Sequence, residues 1–145
     1  MMLLRLLPEQ ISVQWDEIKS AITETLPRST GKVDMNEILM DLLNGSMQCW
    51  LSCRRSKEGN TVEGLIVTQV IKDRFEGGKS LLIYSLCGYQ MDNREAWEES
   101  FRSLSAFAKG EGCQRITAFT NVSSLIKLAE RLGGDVSQRF VSILI

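Results

Sequence analysis

The sequence predicts an α/β (α+β) domain: a mixed, largely antiparallel twisted sheet flanked by helices, in the order β-α-α-β-β-β-α-β-α-β. Three observations carry that prediction. Two early segments show apolar residues at helical spacing behind clear start signals. Three apolar runs between Met47 and Cys87 are joined by short polar or glycine-rich turns, as an antiparallel meander requires. From Lys79 to Gly134 the pattern then changes to strand, turn, helix, strand, helix, which places a parallel strand beside the last strand of the meander.

Taken in order, Met1 to Leu7 reads as a first strand. Pro8-Glu9-Gln10 opens a helix whose stripe is Ile11, Trp15, Ile18, Ile22 and Leu26. Pro27 ends it, because the residue before a proline is biased away from helical dihedrals, and residues 28–32 form a polar loop. Asp34 and Glu37 make a capping-box pattern for a second helix with Met35, Ile38, Leu39 and Leu42 inward. Asn44-Gly45 closes it in left-handed geometry. In the second strand Met47, Cys49, Leu51 and Cys53 face one way. A hairpin turn at residues 56–60 leads to a long strand from Thr61 to Ile71, and Glu76-Gly77-Gly78 leads into Ser80–Cys87. That strand is apolar on both faces, the signature of a central position.

The strand ends at Gly88, and a capping box from Asp92 to Glu95 starts a helix with Trp97, Phe101, Leu104 and Ala108 inward. Residues 115–120 form the fifth strand, parallel to the fourth. Val122 to Leu132 is a short helix stopped by Gly133-Gly134, and Arg139 to Ile145 reads as a final strand. With no repeat, low-complexity tract or linker, residues 1–145 form one domain.

Composition narrows the chemistry. The net charge of −1, from 17 basic and 18 acidic residues, gives no electrostatic pull toward nucleic acid or anionic lipid. No apolar run approaches the ~20 residues of a membrane span. The amino-terminal apolar stretch lacks the basic start and small-residue cleavage site of a signal peptide. The expected location is the cytoplasm. The chain has no histidine, so histidine triads, histidine metal sites and histidine acid–base catalysis are all ruled out. Cys49 and Cys53 share a strand face but lie beyond disulfide reach, and no cysteine pair has zinc spacing. The four cysteines read as buried small hydrophobes, with Cys87 at the strand end the one to watch as a thiol. No metal is expected.

The order of elements resembles the GNAT superfamily of N-acetyltransferases along essentially the whole chain. Leu128-Ala129-Glu130-Arg131-Leu132-Gly133-Gly134 is similar to the family's late helix, and Asn121 falls where the family often has an asparagine near coenzyme A. Trp50 in the second strand and Leu82-Ile83-Tyr84 in the central one also look similar to GNAT-like proteins of tailed bacteriophages. The resemblance implies an acetyl-CoA site at the end of the fourth strand, with Leu86, Gly88, Tyr89, Gln90 and Asn121 as coenzyme-binding residues.

The family grips the pyrophosphate through Gln/Arg-x-x-Gly-x-Gly/Ala. Here a start at Gln90 puts Asn93 and Glu95 at the small positions, and a start at Arg94 puts Trp97 and Glu99 there. Asp92, Glu95, Glu98 and Glu99 suit a helix amino terminus but repel a phosphate. The family's catalytic tyrosine aligns with Ala129. Tyr84, Cys87 and Glu63 are the candidate substitutes, read otherwise as a packed aromatic, a buried thiol and a solvent-facing strand charge. These departures favour a GNAT-fold protein without acetyltransferase activity and without a cofactor. It would serve as a structural or interaction module, phage- or prophage-encoded, with a homo-oligomer, virion or host-protein partner and a place in the host cytoplasm or virion. The alternative is an acetyl-CoA-dependent N-acetyltransferase with an atypical pyrophosphate turn.

Overall fold

A computed structural model describes residues 2–25, 33–72, 77–88, 94–120, 123–138, 141–143 and 145. Five strands form one sheet in the order β1-β2-β3-β4-β5: Met2–Arg5, Met47–Ser56, Gly59–Lys72, Lys79–Cys87 and Arg115–Ala118. The first four pair antiparallel and β5 runs parallel to β4, as the switch of pattern after Cys87 predicts.

The early helical stripe is divided between α1 (Pro8–Val13) and α2 (Trp15–Thr25), with Gln14 (φ −101°, ψ 15°) at the joint. The single helix expected from the spacing is therefore two. The inward face survives the break, since Ile11, Ile18 and Ile22 are all essentially inaccessible. The expected last position, Leu26, lies outside the described residues. Helix α3 (Met35–Asn44) starts as read: the Asp34 carboxylate accepts from the backbone N–H groups of Asn36 and Glu37, and Gly45 ends the helix at φ +87°.

These three helices cover one face of the sheet. Ile11, Ile18, Ile22, Ile38 and Leu42 pack there on Met47, Cys49, Leu65 and Val67. Helix α4 (Arg94–Gly110) covers the other face, where Leu104 and Ala108 pack on Trp50, Ile66 and Leu81. Burial of these side chains supplies the main drive to fold, at roughly 1.5–3 kcal/mol for each large one. The start expected for α4, Asp92, lies outside the described residues. Helix α5 (Ser123–Arg131) ends where its glycines predict: Gly133 has φ +82° and the Gly134 N–H donates to the Ala129 carbonyl. No helix among the described residues is long and apolar enough to cross a membrane.

The final strand expected over 139–145 is not found in the described part of that stretch. Residues 141–143 and 145 belong to no strand, and Val141 and Ile143 are 76% and 81% exposed. Alternating apolar residues become a strand only when a neighbouring edge takes their backbone bonds and a core takes one face. The described residues of this stretch make neither contact.

Candidate functional site

The site expected at the end of β4 rests on how that strand is paired. On one side β4 follows β3 to its last residue, with Leu65 opposite Cys87, Ile66 opposite Leu86 and Val67 opposite Ser85. On the other side it follows β5 only from Ser80 to Ile83, opposite Arg115 to Ala118. Among the described residues, Ser85 to Cys87 therefore have a ladder partner on the β3 side only. Their other edge carries a row of backbone groups without a strand partner among the described residues.

A bulge sits at the fork. Val67 and Thr68, adjacent on β3, pair with Ser85 and Ile83, so Tyr84 is the surplus residue on β4. Such an insertion bends the strand and re-aims the side chains beyond it. Before it, Leu81 and Ile83 pack on the α4 side, and beyond it Leu86 does so too. Tyr84 itself packs into the core under α1–α3, and Ser85 and Cys87 reach the end of α2.

There a small polar cluster forms. The Thr25 hydroxyl donates to the Ile22 carbonyl at 2.9 Å, so in its hydrogen bond with Ser85 the serine hydroxyl is the donor. The Cys87 thiol lies 3.9 Å from Glu24 Oε2 and donates to it. Burial first, and then the Glu24 charge and this hydrogen bond, push the Cys87 thiol up from its ordinary range. At neutral pH Cys87 is thus a proton-bearing thiol rather than a thiolate nucleophile. Burial also raises Tyr84, which keeps its phenolic proton.

Gly88 follows with φ +83°, and a Cβ there would stand 2.9 Å from the Glu63 carbonyl oxygen. Both facts call for glycine. Glu63 is itself the surplus residue of a second bulge, since Ser52 pairs with Gly64 and Cys53 with Val62. Its carboxylate is held by Arg54 Nε at 2.9 Å.

The structure thus gathers Leu86, Cys87 and Gly88 at the open edge, sets Tyr84 at the fork, and brings Glu63 alongside through its backbone. Tyr89, Gln90 and Asn121 lie outside the described residues. Glu24, Thr25 and Ser85 escape the sequence reading as site residues. Their one signal is polarity where a stripe helix ends and inside an otherwise apolar strand. The buried-cysteine reading holds for Cys49, Cys53 and Cys113, while Cys87 is half-buried and all four are free thiols.

No protein-family model matches this sequence, and no curated protein matches it. Solved structures do. An aminoglycoside N-acetyltransferase in complex with a CoA-based bisubstrate analogue has a TM-score of 0.68 at 10% identity, covering 99% of this chain and 97% of that one. An aminoglycoside acetyltransferase from an uncultured soil metagenomic sample, in complex with sisomicin, has a TM-score of 0.64 at 10% identity, covering 99% and 94%. A ribosomal-protein-alanine N-acetyltransferase from Brucella melitensis biovar Abortus 2308 has a TM-score of 0.60 at 10% identity, with both chains fully covered. The fold is that of the GNAT acetyltransferases.

Proposed function

We propose that this GNAT-fold chain is an acetyl-CoA-dependent N-acetyltransferase whose coenzyme lies along the open edge of β4. The observation that carries the reading is the fork. Ser85, Leu86 and Cys87 keep their β3 partners while the β5 ladder stops at Ile83, leaving an extended backbone edge inside the sheet. An extended, amide-bearing chain such as a pantetheine arm is complementary to such an edge.

When bound, acetyl-CoA would supply an acetyl group activated as a thioester. The chain's own residues would do the rest. The β4 edge around Leu86 and the close-packed turn at Gly88 would hold the arm, with Tyr89, Gln90 and Asn121 continuing the grip by resemblance. Glu24 offers a carboxylate to attract and deprotonate an amine, and Cys87 and Tyr84 each hold a proton for a leaving thiolate.

The diphosphate end fits less well. Helix α4 has Glu95 exposed in its first turn, where a basic or neutral residue would favour an anion. That acidic turn favours a second reading, in which the fold is a non-catalytic module binding a second copy, a virion protein or a host protein.

Isothermal titration with acetyl-CoA separates the two. The expected result is saturable one-to-one binding, lost in Gly88→Asp and in Asn121→Ala while circular dichroism shows both still folded. Absence of heat at millimolar coenzyme overturns the transferase and leaves the module.

A further inference from the structure

A pocket lies toward the end of the sheet where β2 begins and β3 ends, on the face covered by α4. Gln69 and Val70 in its lining pair with Leu82 and Leu81 of β4, whereas the open edge begins beyond Ile83 and faces away from β3. The pocket is open to solvent, with a volume of about 260 Å³. Arg5, Ser46, Gln48, Gln69, Phe107 and Glu111 line it.

Its two charged side chains, Arg5 and Glu111, are both exposed to solvent. The Arg5 guanidinium sits 5.2 Å over the Phe107 ring, and Trp50 meets the same ring edge-on at 5.1 Å and 74°. Phe107 is thereby held from both sides and presents the cation in a fixed place. Among the described residues, neither Arg5 nor Glu111 has an ion-pair partner, although both border the same cavity.

The floor is equally prepared. Gln48 is 3% exposed. Its carbonyl oxygen accepts from the Thr68 hydroxyl at 2.8 Å, which in turn accepts from the Trp50 indole N–H at 2.9 Å. Its amide nitrogen donates to the Gly45 carbonyl at 2.9 Å. These bonds fix which way the amide points and leave one of its two N–H groups over.

We infer that this cavity is a binding site for a small zwitterion of the free α-amino-acid class. Arg5 and the spare Gln48 N–H are donors for a carboxylate, and Glu111 is the counter-charge for an ammonium. A zwitterion can pair with both charges at once, which a ligand carrying one charge cannot. The site is separate from the fork in place and in chemistry, and it stands whether or not acetyl-CoA binds.

The test is a ¹H–¹⁵N titration of the full chain with glycine, L-alanine and L-glutamine, with acetate and methylamine as single-charge controls. The expected result is saturable movement of the Trp50 indole and Gln48 side-chain signals with at least one amino acid and with neither control. Because charge-assisted bonds would be lost, Arg5→Gln and Glu111→Gln should each weaken binding about tenfold, with spectra as dispersed as the parent's. No saturable movement, acetate binding as tightly as the amino acids, or movement confined to the Leu86–Gly88 end would each overturn the proposal.

Discussion

Gly88 shows how much one position can carry. Its φ of +83° costs any other residue conformational energy, and the Glu63 carbonyl leaves no room for a methyl group. Gly88→Ala is therefore expected to lose roughly 1–3 kcal/mol, read as a lower urea midpoint at unchanged slope; an unaltered midpoint would contradict the strained turn. Cys49 makes a pH prediction. Burial pushes its thiol from 9.0 up to about 12, so the folded state keeps the proton where the unfolded chain releases it. Stability from this group is full below pH 9.0, and it drains away as pH rises toward the folded value. Replacing Cys49 with alanine should flatten that alkaline decline, as followed by denaturant melts from pH 8 upward. A decline as steep as the parent's would assign the effect to other groups, such as Tyr84 and Cys113, which burial raises in the same direction.

At the scale of elements, the parts that follow a simple period were legible and those that depend on backbone pairing were not. The α2 and α3 stripes, the Asp34 cap and the Gly45 stop leave direct marks in residue type, and the structure has them where those marks lie. The Tyr84 bulge leaves none. Leu82-Ile83-Tyr84-Ser85 reads as plain strand, and only the β3 register reveals the surplus residue. For the same reason the candidate site was half legible. Leu86, Cys87 and Gly88 could be named from the strand end, but Glu24 and Thr25 reach them only through the packing of α2. Residues 139–145 show the converse, a strand-like period without the neighbour that would make it one. The buried polar chain linking Trp50, Thr68 and Gln48 also belongs to this scale, since it ties β2 to β3 beneath α4. Thr68→Val keeps the shape but strands an indole N–H and an amide oxygen, and at ~1–3 kcal/mol for each such group a loss of about 2–6 kcal/mol is expected in chemical denaturation. A loss below 1 kcal/mol would mean that other partners take over.

For the whole molecule, the sheet divides two cores, one under α1–α3 and one under α4, and the fork opens at the seam between the fourth and fifth strands. A ligand lying in that seam would stabilise the fold by mass action, by about 2.7 kcal/mol at a hundredfold excess over its dissociation constant. For a chain of this length that corresponds to a rise in melting temperature of about 5–10 °C. Differential scanning fluorimetry with acetyl-CoA reads it directly, and an unmoved transition at millimolar coenzyme would mean that the folded chain does not bind it.

The surplus residue in β4 has a consequence for how this fold can change. Removing one amino acid from a strand ordinarily throws every later side chain onto the wrong side of the sheet. Tyr84 is exempt, because it has no opposite number on β3. Excising it would leave Ser85, Leu86 and Cys87 in phase with the neighbours they already have, on a straighter strand. The bulge can therefore be gained or lost by a single codon without shifting the register beyond it, with the loss of the Tyr84 side chain from the core under α1–α3.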